Sequence, residues 1–125
     1  IFNEHINFSY FTNKLERNLE NLDDDKSRVL IYGAGSAGVQ LASALNISSK
    51  LQSVGFIDDN PGKIGRRMFG LDVMGGRFSL RRILVEERIE EVVVAIPSAP
   101  DEDLADFFAP CDELGIKCRR IHSLI

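Results

Sequence analysis

The chain has 125 residues, 44% of them hydrophobic and 27% charged, with a formal net charge of −4. That size and make-up suit one globular domain able to bury a core without staples. The acidic balance argues against a nucleic-acid partner, whose phosphates need a basic excess, and no apolar run approaches the roughly 20 residues of a membrane helix. Its two cysteines, Cys111 and Cys118, fit no metal or redox spacing and read as reduced, partly buried thiols of a cytosolic domain. The chain opens on Ile1 rather than methionine and ends just after a predicted strand, so it is expected to be a piece of something longer.

Residues 1–27 are polar and asparagine-rich, with Phe11, Leu15, Leu19 and Leu22 recurring at helical intervals. The spacing predicts an amphipathic leader or linker helix that covers exposed core, closed by the acids Asp23, Asp24 and Asp25. Tyr10 and Lys14 spell the catalytic Y-x-x-x-K pair of short-chain dehydrogenases, in which lysine lowers the tyrosine's pKa. Here the pair lies upstream of any cleft and is set aside.

Residues 28–45, RVLIYGAGSAGVQLASAL, read as a buried strand, a glycine turn and a helix in direct succession. Val29 to Tyr32 form the unbroken apolar run of a central parallel strand. Gly33, Gly35 and Gly38 give G-x-G-x-x-G, and Gly33, Ala34, Gly35, Ser36, Ala37 and Gly38 form the candidate phosphate turn. Glycines there allow a tight turn, close approach of a pyrophosphate and close helix-on-strand packing. No acidic side chain stands between Gly33 and Leu45, so the amides and positive dipole end of the helix are left for an anion. A second strand over 51–58 ends in Asp58, twenty residues after Gly38, where a Rossmann unit holds the acid that takes ribose hydroxyls.

The loop over 59–70, DNPGKIGRRMFG, carries Lys63, which either touches a phosphate or adenine ring or belongs to a solvated basic loop. A short edge strand over 71–73 follows, ended by Gly75 and Gly76, and then a helix over 78–88. The strand over 91–96 ends in Pro97-Ser98-Ala99-Pro100 and by the crevice rule faces the same ligand as the glycine turn, so Ile96, Pro97 and Ser98 are candidate contacts. Ser98 reads equally well as a helix N-cap, because Asp101, Glu102 and Asp103 follow it, and those acids make this helix a poor second phosphate site. Leu104, Phe107, Phe108, Cys111 and Leu114 give the helix a buried face; Pro110 should kink or split it at Ala109, and Gly115 should stop it. A strand over 116–121 ends the pattern. The expected fold is α/β, a Rossmann-like doubly wound parallel sheet of five strands in the order 3-2-1-4-5, over 28–125, preceded by the leader helix.

At RVLIYGAGSAG, VGFIDDNPGKIG, GLDVMGG and VVVAIPSA the chain resembles the nucleotide-binding, CoA-binding-like Rossmann domain of CapD-type polysaccharide biosynthesis proteins, which are nucleoside-diphosphate-sugar dehydratases and epimerases. The resemblance covers about 28–125. It implies a cytoplasmic module of a bacterial capsule or O-antigen enzyme, lying between N-terminal membrane helices and a C-terminal short-chain dehydrogenase domain that carries the catalysis. The parent would then be associated with the inner membrane, and the module itself would bind without catalysing. By position, Gly33 to Gly38 would be the phosphate turn, Asp58 and Asp59 the ribose-side acids, and Ile96 to Ala99 the opposite lip. The expected ligand is NAD, with NADP, CoA or a UDP-sugar as alternatives, and homo-oligomerisation is left open. The competing reading is a structural or regulatory Rossmann module of a membrane phosphoglycosyl transferase, whose glycine turn is usually less complete.

Overall fold

The computed structural model describes residues 4–6 and 26–121, and the leader-helix prediction falls outside them, apart from a short edge strand. In chain order the elements are β1 (Glu4–Ile6), β2 (Ser27–Tyr32), α1 (Ser36–Asn46), β3 (Leu51–Ile57), β4 (Arg67–Met68), β5 (Leu71–Asp72), a 3-10 turn (Arg77–Ser79), α2 (Leu80–Glu86), β6 (Glu91–Val94), α3 (Asp101–Glu113) and β7 (Lys117–Ile121). Five strands form one sheet in the order β1-β7-β6-β2-β3, and every pairing is parallel.

Alternation along the strands assigns the core to two faces. Val29 and Ile31 of β2, Phe56 of β3 and Val93 of β6 turn to one side, where Ala37, Leu41 and Leu45 of α1 cover them. Leu30, Tyr32, Val92 and Val94 turn to the other, against Leu80 and Leu84 of α2 and Leu104, Phe107 and Phe108 of α3. Helices on both faces of a parallel sheet are what the unbroken apolar runs of β2 and β6 require, and each such buried side chain contributes about 1.5–3 kcal/mol. The doubly wound Rossmann class read from the sequence is the class observed.

The expected order 3-2-1-4-5 holds for four of its five strands, 2-1-4-5, here β3-β2-β6-β7. The stretch over 71–73 does not become a full fifth strand. Leu71 and Asp72 pair antiparallel with Met68 and Arg67, and only Val73 reaches the sheet, by a single parallel bridge to Phe56. Phe69 and Gly70, both at positive φ, offer a nearer hairpin partner, and the backbone groups of Val73 are taken by Arg66 and Gly65. The fifth place in the sheet goes instead to β1, beside β7, within the stretch read as leader.

Pro110 does not split α3, which runs unbroken from Asp101 to Glu113. The proline lies in the last turn, with buried Phe107, Phe108 and Cys111 on either side of it, so packing outweighs the lost backbone bond. Gly115, at φ +69°, ends the helix as expected. Both cysteines are fully buried thiols, and burial, with Cys111 alongside, pushes the Cys118 thiol far above its ordinary pKa.

Candidate functional site

The carboxyl ends of β2, β3 and β6 meet at one edge of the sheet, and the turns that follow them build the site. Gly33 leaves β2 at φ +112°, where a Cβ would lie 2.7 Å from Ile96 and 2.9 Å from the Ala95 carbonyl oxygen. A Cβ on Gly38 would lie 1.8 Å from the carbonyl oxygen of Gly33, so α1 sits on the turn with no room for a side chain. Gly35 differs: its Cβ would meet only Lys63 Nζ, at 3.9 Å. Two glycines of the motif therefore serve packing, and the middle one keeps a surface bare.

α1 opens at Gly35 with no side-chain cap and no acid in its first turn. Helix geometry leaves its first amides without intrahelical partners, next to the position at Gly35 that a side chain would find open. The Ala34 amide donates to Asp58 Oδ2 at 2.9 Å, and Asn60 N donates to Oδ1 at 2.9 Å. Each oxygen of Asp58 keeps a further lone pair. Lys63 Nζ donates to the Ala34 carbonyl at 3.4 Å and lies 3.9 Å from Asp58 Oδ2. Glycine turn, acid and lysine thus converge.

Asp59, also beyond the end of β3, is held by a different set of partners. Its Oδ2 accepts from the Tyr32 hydroxyl and from Arg77 Nε at 2.9 Å, and its Oδ1 from the Arg77 amide at 2.8 Å. Arg77 also donates to the Tyr32 oxygen and to the Asp103 carbonyl, both at 2.9 Å, and the Tyr32 ring stacks on Phe107 with centroids 4.1 Å apart. Burial, joined by the bond to Asp59, pushes the Tyr32 phenol up to about 12. Burial alone would raise the Asp59 carboxyl, but its bonds from Tyr32 and Arg77 outweigh that and hold it below the usual carboxylate range. Arg77, favoured by the same carboxylate against its own desolvation, is held above its ordinary value.

The opposite lip follows β6. Ala95 N donates to the Tyr32 carbonyl at 2.8 Å, which sets this turn beside the glycine turn, while Pro97 and Ser98 are exposed. Ser98 caps nothing: the N-cap position of α3 belongs to Pro100. The lip is held from below by Arg120, whose guanidinium donates to Asp101 and to the carbonyls of Pro97 and Ala99. Sequence spacing pointed to neither Arg77 nor Arg120, because each acts through contacts more than 15 residues away.

Two hollows, of about 320 and 420 Å³, lie elsewhere and touch neither Gly33–Gly38 nor Asp58 nor Lys63. Backbone amides at a sheet edge need approach rather than enclosure, so hollow volume is a poor guide to this kind of site. Among the described residues no cluster of three metal-ligating side chains occurs, and no helix is long and apolar enough to cross a membrane.

No protein-family model matches the chain. The probable polysaccharide biosynthesis protein EpsC of Bacillus subtilis strain 168 is 32% identical over 95 residues, 74% of this chain, which spans 16% of that relative's length. The crystal structure of UDP-D-quinovosamine 4-dehydrogenase from Vibrio fischeri is 33% identical, with a TM-score of 0.68 over 75% of this chain and 76% of that one. The chain belongs to the Rossmann-domain family of CapD-type polysaccharide biosynthesis proteins. As a member of that family it is a nucleotide-binding-type domain. RSP, a Rex-family repressor, is 20% identical with a TM-score of 0.66 over 91% of this chain and 60% of its own, a likeness of fold alone.

Proposed function

We propose that this domain binds NAD(H) at the turn Gly33 to Gly38 and serves as the non-catalytic nucleotide-binding module of a nucleoside-diphosphate-sugar dehydratase or epimerase of bacterial capsule or O-antigen synthesis. The observation that carries the reading is Gly35: the fold does not need its missing side chain, yet the space above it is kept free beside uncapped helix amides and a lysine. A diphosphate is the ligand that uses all three at once. Asp58, tied to the turn through the Ala34 amide, stands where ribose hydroxyls would reach its free lone pairs. Lys63 balances the diphosphate charge, and Ile96, Pro97 and Ser98 form the far wall for the second half of a dinucleotide. The RSP repressor, with the same fold, has been crystallised with β-NADH. In this reading a C-terminal short-chain dehydrogenase domain of the parent carries the chemistry, N-terminal membrane helices anchor it, and the module faces the cytoplasm.

The test is a melt with and without NAD(H). At a hundredfold excess over its dissociation constant the ligand should add about 2.7 kcal/mol of stability. Gly35→Ala should leave the unliganded melt within about 0.5 kcal/mol of the parent, since its Cβ meets nothing closer than Lys63, and should abolish the NAD(H) shift. An unshifted melt with NAD(H), CoA and UDP-sugars alike would leave a structural module of the phosphoglycosyl transferase kind.

A further inference from the structure

Asp58 is built into a loop that returns a cation to it. The Asn60 amide donates to Asp58 Oδ1 at 2.9 Å, the Asn60 side-chain oxygen accepts from Gly62 N at 2.9 Å, and the Asn60 carbonyl accepts from Lys63 N at 2.9 Å. These local bonds fold the segment back on itself, and Lys63 Nζ thereby reaches the Ala34 carbonyl, 29 residues away in sequence, at 3.4 Å. The same ammonium stands 3.9 Å from Asp58 Oδ2, with the lysine side chain 34% exposed and the aspartate 17%. Asp59, the neighbouring acid, is paired with Arg77 at 2.9 Å. Each of the two acids after β3 therefore has a cation beside it, and α1 adds the positive end of a helix with no acid in its first turn.

An acid at this place in a Rossmann unit accepts ribose hydroxyls, and its uncompensated charge turns a 2′-phosphate away. Here that charge is compensated. A phosphate next to Asp58 is also next to the ammonium, because the two charges lie 3.9 Å apart, well inside the Debye length of about 8 Å. Of the three N–H donors of Lys63, the Ala34 carbonyl takes one among the described residues, and a phosphate oxygen is a stronger acceptor for the others. We propose that Lys63 sets the nucleotide specificity of this site by admitting a 2′-phosphorylated adenosine, so that NADP(H) binds as well as NAD(H). The inference rests on the nucleotide-binding reading of the glycine turn and adds to it a second ligand and the residue that admits it.

Calorimetric titration of the 125-residue chain with NADH and with NADPH tests it, the melt of each unliganded variant serving as the control for folding. The two affinities should lie within about tenfold of each other in the parent chain. Lys63→Gln should widen the gap in favour of NADH by at least about tenfold, whereas Lys63→Arg should keep the parent ratio. Adding Asp58→Asn to Lys63→Gln should close the gap again, since the repulsion that the lysine offsets comes from Asp58. A loss of packing alone would weaken both nucleotides alike and leave their ratio unmoved. NADH binding with a gap of more than about tenfold in the parent, or a ratio unchanged in Lys63→Gln, overturns this inference and leaves the NAD(H) reading standing. Failure of both nucleotides to bind the parent chain overturns the two together.

Discussion

The two strand-to-helix turns at the ligand edge are built from opposite chemistry. After β2, three glycines bring the backbone to the surface and α1 begins without acid or cap; after β6, two prolines stiffen the turn and α3 begins with Asp101, Glu102 and Asp103. Carboxylates in a first turn satisfy the helix dipole from within the protein, so α3 has no use for an anion, whereas α1 leaves that interaction open. The second turn is fixed by side chains, through Arg120, and the first by the contact of Gly38 on Gly33. The first turn is therefore the one of the two left open to an anion, and the second is a wall. The Tyr32–Asp59–Arg77 network ties them together, since Tyr32 precedes the first turn and Arg77 bonds the backbone of α3 at Asp103.

Gly38→Val should break the comparison most severely. Its Cβ would overlap the Gly33 carbonyl, a backbone group that cannot swing aside, and the domain should lose more than about 3 kcal/mol in denaturant unfolding. Loss of under 1 kcal/mol would mean that the contact of helix on turn is not what shapes the first turn.

Alkaline titration tests the tie between the turns. Tyr32 has its folded pKa raised to about 12 from 10.0, so its contribution to stability is complete below pH 10 and disappears as pH climbs toward 12. The loss should be on the order of 2 kcal/mol between those limits and should vanish in Tyr32→Phe. A parent and variant with the same alkaline profile would remove Tyr32 as the link.

The finest adjustment is Ser36→Asp, which gives α1 the acidic first turn of α3. Ser36 is exposed, so the unliganded domain should gain about 0.3–1 kcal/mol from the dipole while losing affinity for NAD(H). Retained binding would show that the dipole end of α1 is not where the phosphates sit.

Local pattern carried much of this molecule. The apolar runs of β2 and β6, the glycine spacing and the acid twenty residues on prescribed the parallel sheet, the open turn and the convergence of Asp58 on it, because each depends on residues near in sequence or on a connection of fixed hand. Tertiary structure decided what local pattern leaves degenerate. Adjacent acids read alike as letters, yet beyond the end of β3 Asp58 bonds the glycine turn and Asp59 bonds Tyr32 and Arg77. An apolar triplet at 71–73 suits a sheet edge or a hairpin equally, and the choice fell to the loop through Phe69 and Gly70, which closes at lower entropic cost than a distant pairing. Arg120 reaches the far lip only once distant segments meet, and no periodicity in a chain encodes such a meeting.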